Sequence, residues 1–125
     1  MCHCRMCQKA TGNFFAPLVG VPGGDLTWTR GNAATFKSSD QVERGFCAAC
    51  GTPLFFHVLD GDHWALMIGA FDDPTTIDLT SEDGPEGRLP QIDQLGQIPV
   101  HQATEAYWDD AWRISGNRQH PDHDT

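Results

Sequence analysis

Short apolar runs separated by turn residues dominate the chain from Phe14 to Phe71. Phe14 to Val21, Leu26 to Thr29, Ala34 to Lys37, Gln41 to Phe46, Pro53 to Leu59 and His63 to Phe71 read as strands. Gly23-Gly24, Arg30-Gly31-Asn32, Ser38-Ser39-Asp40 and Asp60-Gly61-Asp62 divide them with turn chemistry, and the Asp-Gly pair marks a hairpin. Regularly spaced short strands predict a mainly β, antiparallel domain. Gln8 to Asn13 reads as a helical turn ended by Gly12. Further on, Ser81 to Gly87 is polar and acidic and reads as a mobile loop. Ala106, Tyr107, Ala111 and Ile114 recur at three- and four-residue spacing, which predicts one short C-terminal helix over 103–114. We therefore expect a single domain over 1–115 and a frayed, flexible tail over 116–125, where His120 and His123 read as tail polarity.

Composition narrows the function. The 125 residues suit one domain, and 13 Gly with 8 Pro fit a turn-rich fold. Eight Lys and Arg against 17 Asp and Glu give a formal charge of −9, with no basic run to neutralise phosphates. Nucleic-acid binding and docking on anionic membranes are disfavoured on that ground. No apolar run approaches bilayer length, and Met1-Cys2-His3-Cys4-Arg5 is not a secretory signal. A cytoplasmic location is the expectation.

The five cysteines carry the chemistry. Cys2, Cys4 and Cys7 form C-x-C-x-x-C, and Cys47 and Cys50 form C-x-x-C. An odd count cannot pair fully into disulfides, and reduced clustered thiols read as metal ligands or redox groups. Redox C-x-x-C pairs open a helix within a βαβ unit, whereas this one runs through Gly51 into an expected strand, which favours a zinc knuckle. In an extended segment Cys2 and Cys4 project to one side, and a turn after Cys4 returns Cys7 to the same point. Three thiolates without a fourth protein ligand resemble a catalytic zinc site with one open position. The alternative is a structural four-cysteine site drawn from the five sulfurs. His3 alternates away and reads as a neighbour.

Cys2-His3-Cys4-Arg5-Met6-Cys7-Gln8-Lys9-Ala10-Thr11-Gly12 resembles the C-H-C-x-x-C-x-K-x-x-G motif of the glutathione-dependent formaldehyde-activating enzymes, a family that includes centromere protein V. The resemblance continues through Trp28-Thr29-Arg30-Gly31, Phe36-Lys37-Ser38-Ser39, Arg44 to Leu54 and Ile68 to Pro74. It implies a β-tent fold built around two Zn2+ sites. Cys2, Cys4 and Cys7 would hold a catalytic zinc; Cys47 and Cys50 would supply half of a structural one. The family's earlier Gly-rich C-x-C, which completes the structural site, has no counterpart in this sequence. Either an N-terminal piece is missing or this member has lost the site. We expect a missing piece or compensation by self-association as a homodimer, since an absent strand would bare a sheet edge. The family's Arg-x-Pro-Trp element is also altered, Arg88-Leu89-Pro90 being followed by Gln91.

The implied activity is that of a carbon–sulfur lyase forming or cleaving thiol–aldehyde adducts, such as formaldehyde with glutathione. The competing class is a non-catalytic, zinc-stabilised protein-binding module. Metal activation suits the first, because a free thiol near pKa 8.5 is only slightly ionised at neutral pH. Three thiolates leave zinc a formal negative charge, which favours binding a substrate thiol over activating water. Arg5 and Lys9 are candidates to offset that charge or to meet a substrate carboxylate. Of Phe14/Phe15 and Phe55/Phe56, one of each pair should line a cleft or interface, because consecutive strand residues face opposite ways. His57 and His63 read as surface polar residues.

Overall fold

Five of the six strand segments are strands in the computed structural model, which describes residues 1–100 and 118–119. They are β1 (Leu18–Pro22), β2 (Ala34–Lys37), β3 (Val42–Phe46), β4 (Pro53–Val58) and β5 (His63–Met67). All pair antiparallel in the order β1-β5-β4-β3-β2. The mainly β, antiparallel architecture is thus the one expected. Leu26–Thr29 forms no strand and runs as irregular chain, while the segment after Met67 closes into a single 3₁₀ turn, Ile68–Ala70. The expected helix at 103–114 lies outside the described residues, as do His120 and His123.

One helix is described, α1 (Arg5–Thr11), and it starts earlier than the pattern implied. Its N-cap is Cys4, whose sulfur accepts the Cys7 N–H, and its end is Gly12 at φ 62°, a left-handed cap that glycine adopts at little cost.

Strand alternation gives the sheet two different faces. Across β3, β4, β5 and β1 the register aligns Arg44 with Phe56, Phe56 with Ala65, and Ala65 with Gly20. This row borders the cavity that also holds Cys2, Cys4 and Cys7. Met67 continues that face and packs with buried Cys7 and Ala16. On the opposite face Phe55, 2% exposed, lies edge-on to Trp64 at 4.6 Å and tilted against Trp28 at 5.9 Å. Its ring occupies the space a side chain would take at Gly45, its cross-strand partner. The adjacent pair Phe55 and Phe56 therefore divides as alternation requires, one to the core and one to the cavity.

The segment read as a loop at Ser81–Gly87 is instead a structural wall. Cys2 bridges Ala16 antiparallel and Asp83 parallel, so the N-terminal strand of chain is held from both sides. Cys2 N–H donates to Ala16 O and His3 N–H to Asp83 O, at 2.9 and 2.8 Å. Buried Gln8 completes the attachment, its Nε2 donating to His3 O at 2.9 Å and Gly87 O at 2.8 Å. A Cβ at Gly87 would collide with the His3 carbonyl, so glycine permits this close approach.

Candidate metal centre

Cys2 sits in the bridged extended segment, Cys4 caps α1 and Cys7 lies within its first turn, buried. This strand-to-helix turn brings the three sulfurs within 4.8 Å of one another, the one group of three or more metal-type ligands among the described residues. Tetrahedral zinc with sulfurs at about 2.3 Å needs them about 3.8 Å apart, so a small inward shift suffices. The donor set therefore fits a thiophilic metal ion. No disulfide joins any of the five cysteines among the described residues.

The environment pushes neighbouring thiols in opposite directions. Burial, reinforced by the thiols of Cys7 and Cys4, raises Cys2 from its ordinary 9.0 to about 12, against the opposing hydrogen bond of the Cys4 backbone. Burial acts upward on Cys4 as well, but the backbone N–H of Cys7, the thiols of Cys7 and Cys2 and the N–H of Met6 outweigh it and lower the group. Cys4 is the first of this pair to ionise, in keeping with its place at a helix start.

The cation beside the cluster is not one of those expected. Arg5 turns to Gln8 Oε1 at 3.3 Å, and both Arg5 and Lys9 are exposed. Arg44 takes that place, 7% exposed, with Nη2 donating to Cys7 Sγ at 3.4 Å. Its Nε donates to Ser38 Oγ at 3.3 Å and its guanidinium lies 5.0 Å from the Phe56 ring centre. The signal for Arg44 was available only through register, as a charged residue on the strand face shared with Phe56. His3 points away from the sulfurs as alternation predicts. It is fully buried beside Phe15, with Nε2 3.8 Å from Glu82 Oε2.

Cys47 and Cys50 do not join this cluster. They lie in the β3–β4 connection, where Gly51 N–H donates to Cys47 O at 2.8 Å and Gly51 takes φ 78°. Cys50 Sγ is 3.1 Å from Thr52 Oγ1, and no third metal-type ligand accompanies the pair among the described residues. Among the described residues the knuckle shape is present without a full ligand set. His57, read as a surface residue, stacks flat on Trp64 at 3.9 Å, while His63 is exposed.

A cavity of about 830 Å³ opens on Cys2, Cys4 and Cys7, walled by apolar groups including Met6, Phe56 and Ile68. A thiol cluster on a small antiparallel sheet, with a buried cation and a cavity beside it, defines a cysteine-rich β domain able to hold a metal ion, with room beside it for a small ligand. A family model described as glutathione-dependent formaldehyde-activating enzyme matches residues 1–83, and the chain belongs to that family. No curated protein and no solved structure matches the chain. Among the described residues no helix is long and apolar enough to cross a membrane.

Proposed function

We propose that the chain is a zinc-dependent carbon–sulfur lyase that forms or cleaves small thiol–aldehyde adducts, formaldehyde being the aldehyde the family description names. The observation that carries this reading is the cavity on the three-cysteine cluster, since a purely structural site needs no such space. Cys2, Cys4 and Cys7 would hold the ion, which supplies an electrophilic position able to keep a substrate thiol ionised at neutral pH. Arg44 offsets the charge on Cys7 and is itself fixed by Ser38 and Phe56. Gln8 ties the helix that carries Cys7 to the Gly87 turn and so fixes the cysteine segment in place. In the synthetic direction a carbon–sulfur bond forms, the carbonyl π pair moves to oxygen, and the thiol proton ends on that oxygen. The lyase direction reverses each step.

Cys47 and Cys50 would form half of a second, structural zinc site, completed by ligands beyond those described. Clustered cysteines without disulfides support a reducing compartment such as the cytoplasm as its location, with small molecules as its partners and self-association as a homodimer the accompanying proposal. The test follows formaldehyde consumption by zinc-loaded protein across several thiols, glutathione included. Thiol-dependent acceleration that disappears in Cys4→Ser supports the reading; rates equal to the protein-free reaction for every thiol reject it.

A further inference from the structure

Arg44 carries more donors than the described residues use. Its Nη2 donates to Cys7 Sγ at 3.4 Å and its Nε to Ser38 Oγ at 3.3 Å, while Nη1 is buried and has no hydrogen-bond partner. The residue is 7% exposed and lines the cavity that opens on the three sulfurs. A buried guanidinium N–H without an acceptor is costly, so one left open beside a cavity calls for an acceptor from outside the protein. Ser38 and Cys7 hold one edge of the planar fork, and the Phe56 ring centre lies 5.0 Å from the guanidinium carbon. The group therefore cannot turn without breaking both bonds. Nη1 and Nη2 share that carbon, which sets an acceptor of Nη1 directly beside the sulfur of Cys7. Asp78 and Asp83 also line the cavity, and neither is within ion-pair distance of Arg44.

The geometry points to Arg44 as a catalytic residue of the thiol–aldehyde reaction, its Nη1 donating to the aldehyde oxygen beside the cysteine cluster. The inference rests on the lyase reading and adds a residue's role to it. As the substrate sulfur attacks, the carbon–sulfur bond forms and the carbonyl π pair moves to oxygen. Nη1–H hydrogen-bonds to that oxygen while its charge develops, and the guanidinium keeps its own proton. The thiol proton ends on the oxygen; in the lyase direction the same contact steadies the alkoxide before the carbon–sulfur bond breaks. Arginine suits this task because it stays protonated at every working pH. A donor already fixed in place also needs no reorganisation when the charge appears.

Thioacetate carries sulfur and oxygen on one carbon, as the adduct does, and ethanethiol lacks the oxygen. Calorimetry measures both on the zinc-loaded full chain as wild type, Arg44→Met and Arg44→Lys, with zinc content and circular dichroism as controls. Intrinsic thiol acidity cancels when the affinity ratio is compared between proteins. The preference for thioacetate over ethanethiol should fall about tenfold in both variants. Lysine keeps the charge but not the fork, so loss in Arg44→Lys separates recognition of the oxygen from charge balance. Formaldehyde turnover at saturating thiol should fall about a hundredfold in kcat. Should the variants fail to fold, nitrogen NMR of wild type with isotope-labelled arginine decides: thioacetate, but not ethanethiol, should move a buried guanidinium signal. An unchanged ratio in folded, zinc-loaded variants, or a guanidinium signal that responds alike to both ligands, overturns the inference and leaves the lyase reading intact. Absence of any thiol-dependent acceleration by wild type overturns both.

Discussion

Arg44 and Cys7 meet through a 3.4 Å hydrogen bond although 37 positions separate them in the chain. No carboxylate lies within ion-pair distance of this buried guanidinium among the described residues. A buried charge needs a counter-charge, and the sulfur cluster supplies it. Arg44→Met keeps most of the packing against Phe56 and removes the cation. We expect the zinc-loaded variant to remain folded and to bind small thiols about tenfold more weakly, a loss on the scale of one charge-assisted contact. Calorimetric titration checks this, with circular dichroism as the control for folding.

Zinc content should follow the N-terminal cluster. Wild type is expected to hold at least one zinc per chain, and Cys4→Ser to lose that ion. Elemental analysis after exhaustive desalting decides it; equal zinc in both proteins would exclude Cys4 as a ligand.

The same cluster sets a pH dependence. Cys2 is raised to about 12, so at neutral pH the metal-free protein keeps its proton and metal binding must release it. Zinc affinity is therefore expected to rise with pH, about tenfold per unit for each proton displaced, as measured by competition with a chromophoric chelator between pH 6 and about 8. Without metal the sign reverses. A raised thiol contributes stability below its ordinary 9.0 and loses it as pH climbs toward 12, so the metal-free protein should weaken in alkali.

Gly45→Ala should be among the more damaging single substitutions in the sheet. A methyl there runs into the Phe55 ring, which Trp28 and Trp64 confine from other sides. Relief requires displacing that aromatic group, at a cost of about 1–3 kcal/mol. Urea unfolding measures it, and a change below about 0.5 kcal/mol would show that the ring has somewhere to go.

Gln8→Ala removes three side-chain hydrogen bonds, the one accepted from Arg5 included, and leaves the His3 and Gly87 carbonyls without that donor. A loss of about 1–3 kcal/mol is expected in denaturant unfolding. Zinc should also leave faster, since Gln8 ties the cysteine segment to the Gly87 turn.

The sulfur cluster was legible in the sequence because its ligands are neighbours: alternation pairs Cys2 with Cys4, and one helical turn returns Cys7. The β character was legible for a similar reason, since alternation and turn residues act locally. Arg44 was not, because its approach to Cys7 depends on how β3 is registered against β4, with a shift at Gly45/Phe46. Ser81–Gly87 misled because a polar, glycine-containing run looks alike whether solvated or bonded by its backbone. Here Asp83 pairs through its main chain with Met1 and His3, and side-chain polarity carries no trace of that. The strand expected at Leu26–Thr29 failed because Trp28 covers the Phe55 face from irregular chain, an aromatic role that needs no ladder.

The bridge of Cys2 to both Ala16 and Asp83 has a consequence for the order of assembly. All three sulfurs come from the first seven residues, so a chelate can close before any of the sheet exists, at the small entropic cost of short loops. The chamber around it waits for Arg44, Phe56 and the segment ending at Asp83. Holding an ion would thus ask for one short stretch of chain alone, whereas the cavity beside it exists only once the sheet is formed.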